Sequence, residues 1–225
     1  MSREGNERKV RTAGFGLLPG KKRFFSKRED GAINYIKKSL PKIRGKKALD
    51  IGCGSGKDIL LLESLGANAY GIDTSSFMIG EAKKRVANPS NLFICSIEKT
   101  PFENNFFDVA IGRFSFHYLK KFDKAYSELA RVMKSRGIVI LAVHHPFRDL
   151  TSQKRKVYGK QEEVAVELYQ NKVRIRFPTH TMKDYFSDTF FRYFYLDGFE
   201  EEKSPEEHPD RFNTPGFMAI KAIRK

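Results

Sequence analysis

The sequence predicts an α/β protein built on a parallel sheet, and three observations carry that reading. Short apolar strands alternate with helical segments from Lys47 to Val143. A glycine cluster, Asp50-Ile51-Gly52-Cys53-Gly54-Ser55-Gly56, closes the first strand. An aspartate, Asp73, stands seventeen residues past Gly56, at the end of the second strand. Strands that alternate with helices need crossover connections, and crossovers leave neighbouring strands parallel.

Each element follows from its local pattern. Residues 1–23, with Gly14, Gly16, Pro19 and Gly20 among charges, read as a loose leader. Ile33, Ile36 and Leu40 recur at helical steps, so Ser26–Leu40 is a helix that Pro41 stops. Lys47–Ile51 is a strand, Ile59–Leu65 a helix ended by Gly66, Ala69–Ile72 a strand and Ser76–Val86 a helix. Asn91–Cys95 and Phe107–Ile111 are strands, Lys124–Met133 a helix and Gly137–Val143 the strongest strand. After His145 the rhythm breaks. A basic run (Lys154, Arg155, Lys156), a helical stretch around Glu162–Tyr169 and a strand at Val173–Phe177 read as an insertion over the sheet. Thr181–Tyr195 is a helix, capped by Thr181 with Asp184 and ended by Gly198. Phe199–Lys203 and Phe217–Ile223 are the last strands.

The 225 residues suit one medium domain, and 40% hydrophobic residues are enough for one core. The charged start and the lack of a long apolar run predict neither a secretory leader nor a membrane span. Two cysteines, Cys53 and Cys95, make no disulfide framework, which fits a reducing, cytoplasmic setting. The net charge is +15, of which residues 1–48 carry +11. Such an arm attracts nucleic acid, an anionic small molecule or an acidic membrane surface; the alternative is a solvated Lys-rich segment.

The glycine cluster sits at a strand-to-helix turn, where the free N–H groups of a helix face a ligand. Asp73 is placed to accept hydrogen bonds from a ribose diol. The dinucleotide pattern Gly-x-Gly-x-x-Gly would need glycine at position 57, which is Lys57; the third glycine falls at Gly56. A phosphate loop is absent, because Gly56-Lys57 is followed by Asp58. This Gly-x-Gly-x-Gly turn preceded by an acid resembles motif I of the class I S-adenosylmethionine-dependent methyltransferases. The resemblance continues through NLFICSIEKTPFENNFFDVAI (91–111) and DKAYSELARVMKSRGIVILAV (123–143) and covers roughly residues 45–145. Segments such as AVHHPF resemble a type 11-like, small-molecule branch of that superfamily.

The resemblance implies a Rossmann-like, doubly wound, seven-stranded, mostly parallel sheet whose last strand, near Phe217–Ile223, is antiparallel. It implies a basic arm and lid helix at 1–44 and a methyltransferase domain at 45–225, with a lid insertion at about 147–177. Carried over residue by residue, it has Asp50, Gly52, Gly54 and Gly56 hold the methionine end of S-adenosyl-L-methionine, with Cys53 and Ser55 in the same turn. Asp73 takes the ribose hydroxyls, with Thr74 and Met78 near the adenosine. Ile97 and Glu98 flank the adenine, and Ser96 stands where the family has an aspartate for the adenine amino group. The backbone of Arg113 and Phe114 faces the methionine amino group. S-adenosyl-L-homocysteine would be the product.

Open α/β sheets bind ligands at the carboxyl ends of their strands. That selects His117 and Tyr118 after the fourth strand and His144 and His145 after the fifth as candidates to position an acceptor or take its proton, with His180 joining from the tail. The structural alternative for His117 is a packed helix start, and for His144–His145 a strand-end turn. No sequence-local metal-ligand pair appears. An exocyclic-amine methylase motif is missing, since the segment after the fourth strand reads Gly112-Arg113-Phe114-Ser115, and no Pro-Cys pair serves cytosine chemistry. Both absences count against these two base chemistries and leave ribose or other base positions open; the resemblance to the small-molecule branch implies a small-molecule acceptor. An RNA methyltransferase that uses the arm, with Phe24 and Phe25 beside basic residues, is the alternative, and a non-catalytic S-adenosylmethionine-binding module is a third reading. Oligomeric state is not written in the sequence.

Overall fold

A computed structural model of the protein describes residues 27–168, 173–202 and 215–225. The expected leader, Phe24 and Phe25, and residues 203–214 lie outside the described residues. The described elements run α1 (Lys27–Ser39), β1 (Lys47–Ile51), α2 (Lys57–Ser64), β2 (Asn68–Asp73), α3 (Ser76–Lys83), β3 (Leu92–Ile94), β4 (Phe107–Arg113), α4 (Asp123–Val132) and β5 (Met133–His144). They continue with α5 (Pro146–Ser152), β6 (Glu163–Leu168), β7 (Val173–Pro178), α6 (Met182–Tyr185), α7 (Asp188–Tyr193), β8 (Phe194–Glu201) and β9 (Phe217–Arg224). A one-turn 3₁₀ segment, Phe116–Tyr118, follows β4.

Seven strands form one sheet in the order β3-β2-β1-β4-β5-β9-β8. β1 to β5 pair in parallel, and β9 runs antiparallel to both β5 and β8. This is the expected doubly wound sheet with its antiparallel last strand. Strand order reverses between β1 and β4, so the connections that leave their carboxyl ends run to opposite faces of the sheet, the place where open α/β sheets bind ligands.

Period-two alternation sends side chains to two cores. In β5, Val139, Leu141 and Val143 face one core, with α4, α6 and α7; Ile138, Ile140 and Ala142 face the other, with α1, α2 and α3. Helix α1 is part of this second core, since Ala32, Tyr35 and Ile36 are buried in it.

Three local readings of the sequence are corrected. The stretch around Glu162–Tyr169 is not helical: Glu163–Leu168 is strand β6, paired antiparallel with β7 in a separate two-stranded sheet. Glu, Ala and Leu favour a helix, but alternating Val164 and Val166 suit a strand, and pairing with β7 satisfies its backbone. Thr181–Tyr195 is two short helices, not one. The Thr181–Asp184 capping box forms, but Ser187 starts a second helix by accepting the Phe190 N–H. Gly198 ends no helix. It lies inside β8 beside a register shift, where an added Cβ would come 3.0 Å from the Tyr35 hydroxyl.

Candidate functional site

The first strand delivers its backbone directly into the glycine turn. Gly52, Gly54 and Gly56 have φ of 69°, 51° and 84°, a region that side-chain-bearing residues rarely adopt. Space constrains two of them as well. A Cβ on Gly52 would fall 2.3 Å from Ser115 Cβ, and one on Gly56 would fall 3.1 Å from Val86. Gly54 differs: only Met78 Cε, at 3.8 Å, would meet its Cβ. The turn is therefore closed beneath Gly52 and Gly56 and open over Gly54, beside Met78.

Asp73 braces this opening. One carboxylate oxygen accepts the Gly54 N–H at 2.9 Å and the other accepts the Ser75 N–H at 2.8 Å. Each oxygen keeps a second lone pair for a ligand hydroxyl. The Cys95 N–H donates to the Asp73 carbonyl, which brings the turn at Ser96 alongside. Ser96 Oγ accepts the Glu98 N–H, Ile97 is buried in the core, and Glu98 and Thr74 are exposed.

Beneath the turn lies a charged network. Arg113, the last residue of β4, donates from Nε and Nη2 to the two Asp58 oxygens at 2.8 and 3.1 Å. Asp50 is buried, and its Oδ2 has no hydrogen-bond partner among the described residues. Burial pushes its carboxyl well above the ordinary range; Asp58 adds to the rise, Arg113 opposes it and Asp73 adds further. Cys53 is buried in the turn, and its thiol is driven up by burial and by Asp50 and Asp73, so it is inert filling and not a nucleophile.

The residues present fit a ligand that carries a ribose and an ammonium group. The face over Gly54 is open, the Asp73 oxygens keep lone pairs that would meet hydroxyls, and the Asp50 oxygen without a partner among the described residues would accept from an ammonium group.

A second cluster adjoins this one. Ser115 Oγ donates to the Ile51 carbonyl, tying the end of β1 to the segment after β4. Next to it Phe114, at φ 54°, turns its ring toward His144, with centroids 5.8 Å apart. The His144 ring stacks on that of His117 at 4.0 Å. His117 is fully buried, and neither of its ring nitrogens has a hydrogen-bond partner among the described residues. Burial, then His144, His180 and Arg148, hold its imidazole well below the ordinary range, so it is neutral. His180 Nε2 lies 3.2 Å from the His117 carbonyl and donates to it.

The structure thus brings His117, His144 and His180 together but sends His145 elsewhere. His145 accepts the Phe147 N–H on Nδ1, which leaves Nε2 as the protonated nitrogen, 2.7 Å from Glu201 of β8. Both nitrogens are used. Tyr118 is partly exposed, and desolvation pushes its hydroxyl up to about 12.

Sequence reasoning missed Asp149, whereas Tyr185, read from the sequence as a core aromatic, is fully buried. Asp149 is buried on α5 with Oδ1 3.4 Å from His144 Nδ1, and burial pushes its carboxyl up to about 7. Asp149 Oδ2 and the fully buried Tyr185 hydroxyl have no hydrogen-bond partner among the described residues. The available signal was a carboxylate five residues past His144 across a strand-to-helix corner, a spacing with no fixed meaning. Among the described residues no group of three His, Cys, Asp or Glu side chains is arranged to hold a metal ion, and no helix is long and apolar enough to cross a membrane.

Residues 49–141 match the family model described as a methyltransferase domain. This stretch is similar to a methyltransferase domain. The chain is similar to part of an uncharacterized protein of Haemophilus influenzae, 31% identical over 57% of this chain and 55% of that protein. It is also similar to a ubiquinone/menaquinone biosynthesis C-methyltransferase of Burkholderia vietnamiensis, 34% identical over 43% of this chain and 42% of that one. The chain spans about half or less of the length of the curated relatives it matches. Among solved structures, an S-adenosylmethionine-dependent methyltransferase from Mesorhizobium loti superposes with a TM-score of 0.67 over 87% of this chain and 99% of that one, at 17% identity. A geranyl diphosphate methyltransferase in complex with S-adenosylmethionine superposes with a TM-score of 0.65 over 88% and 86%, at 13% identity. Both likenesses are of fold.

Proposed function

We propose that the protein transfers a methyl group from S-adenosyl-L-methionine to a small-molecule acceptor, releasing S-adenosyl-L-homocysteine. The observation that carries this reading is the adjacency of the two clusters: the Ser115–Ile51 hydrogen bond and the Phe114–His144 contact join the glycine turn to the buried histidines. The cofactor supplies a methyl on a positively charged sulfur, already activated for displacement. The work of the protein is then to align an acceptor and exclude water.

In this reading the turn at Asp50–Gly56 holds the methionine end, Asp73 the ribose, and Thr74, Met78, Ser96, Ile97 and Glu98 surround the adenosine. Arg113 and Phe114 close the methionine side. His117 and His144 face the acceptor, with His180 behind them, whereas His145 serves the β5–β8 junction. The enclosed setting of His117 and His144 favours a small acceptor over a polymer. The alternative, an RNA acceptor, rests on the +11 charge of residues 1–48.

The test uses methyl-labelled S-adenosylmethionine, purified protein and an extract of the source organism split into a small-molecule filtrate and an RNA fraction. Label in the filtrate supports the proposal. Label held in nuclease-sensitive RNA overturns it.

A further inference from the structure

Among the described residues, the buried polar side chains with an atom that has no hydrogen-bond partner include three near His144 and His180: His117 from the 3₁₀ turn, Asp149 from α5 and Tyr185 from α6. Buried polar atoms without partners are rare in folded proteins, because each one costs about 1–3 kcal/mol. Convergence of three from separate elements points to a ligand that completes them. His144 lies among them, stacked on His117 and 3.4 Å from Asp149. That separation is just longer than a formed hydrogen bond, the usual state of a catalytic pair before its ligand arrives.

Resting on the methyltransferase reading, we propose that Asp149 is the positioning residue for His144. Its carboxylate holds the proton on His144 Nδ1 and so presents the Nε2 lone pair to an acceptor that must lose a proton, a hydroxyl or an N–H. The acceptor atom forms its bond to the methyl carbon as the carbon–sulfur bond breaks, and that electron pair leaves on sulfur. The acceptor proton passes to His144 Nε2, and the imidazolium is held by Asp149 until it releases the proton to water. Arg148, His145, His180, Tyr118 and Tyr185 surround Asp149, and His117 faces His144. Arg148 is the foremost charge acting on Asp149, ahead of His180 and His145, while His144 Nδ1 lies 3.4 Å from its Oδ1.

The test is ¹⁵N-histidine NMR on the full chain with S-adenosylhomocysteine at pH 8, above the titration of Asp149. The His144 signals are assigned by their loss in His144→Gln. The wild type is expected to hold His144 as the Nδ1–H tautomer. In Asp149→Asn the tautomer ratio moves about tenfold toward Nε2–H, the effect of losing one hydrogen bond to a charged group. In the labelled-methyl assay the same variant lowers turnover and leaves cofactor affinity unchanged, and the product carries its methyl on oxygen or nitrogen. A wild-type Nε2–H tautomer, a ratio unmoved in Asp149→Asn, or a methyl on sulfur overturns the proposal. Should Asp149→Asn not fold, the wild-type tautomer alone decides. Failure of the underlying reading shows separately, in a uniformly ¹⁵N-labelled sample, as Gly54 and Ser75 amide signals that ignore S-adenosylhomocysteine.

Discussion

Ser115 and Gly52 are locked face to face: an added Cβ on Gly52 would fall 2.3 Å from Ser115 Cβ, while the Ser115 hydroxyl holds the Ile51 carbonyl. The glycine turn and the segment after β4 therefore move as one unit. Gly52→Ala must displace that segment and also hold a methyl-bearing residue at φ 69°. Together these cost about 2–4 kcal/mol. Urea unfolding is expected to show that loss. A cost under about 0.5 kcal/mol would mean the turn yields without strain.

Arg113 is the counter-charge for two carboxylates at the base of the turn, Asp58 directly and Asp50 through space. Arg113→Met strands both. Breaking a largely buried pair costs about 3–5 kcal/mol, whereas replacing both partners by apolar residues costs much less. Chemical denaturation of Arg113→Met, Asp58→Leu and the double variant measures this. The double variant is expected to be more stable than Arg113→Met alone, and strict additivity would contradict the account.

Stability should depend on pH through two opposing groups. Asp149 has its folded carboxyl pushed up to about 7, so the folded state holds a proton that the unfolded chain loses near pH 4. Its contribution is full below about pH 4 and is lost as pH rises toward 7. His117 is held down, so its contribution is present above about pH 6.5 and is lost as pH falls below it. Urea unfolding from pH 5 to 8 should show Asp149→Asn gaining on the wild type as pH rises. A constant gap would place the Asp149 carboxyl in the ordinary range.

Much of this molecule is legible in its sequence, for definite reasons. The run Lys47–Ile51 into Gly52 carries strand, turn and helix in consecutive residues, so motif and geometry are local. The Thr181–Asp184 capping box is local too, and it forms. What escaped depends on distant partners. Segment Glu163–Leu168 becomes a strand only because Val173–Pro178 pairs with it. Gly198 is explained by Tyr35, far away in sequence. The role of His145 was hidden because its partner, Glu201, arrives from β8. Asp149 went unnoticed because burial, which sequence spacing does not report, is what makes it unusual.

The central claim, that the turn at Gly52–Gly56 and Asp73 hold the cofactor, is tested most directly by calorimetric titration with S-adenosylhomocysteine. The wild type is expected to bind one equivalent saturably. Asp73→Ala removes the acceptors for the ribose and the brace on Gly54, and is expected to weaken binding by about 1.5–3 kcal/mol, tenfold or more. No binding by the folded wild type, or equal affinity in Asp73→Ala, would contradict the account.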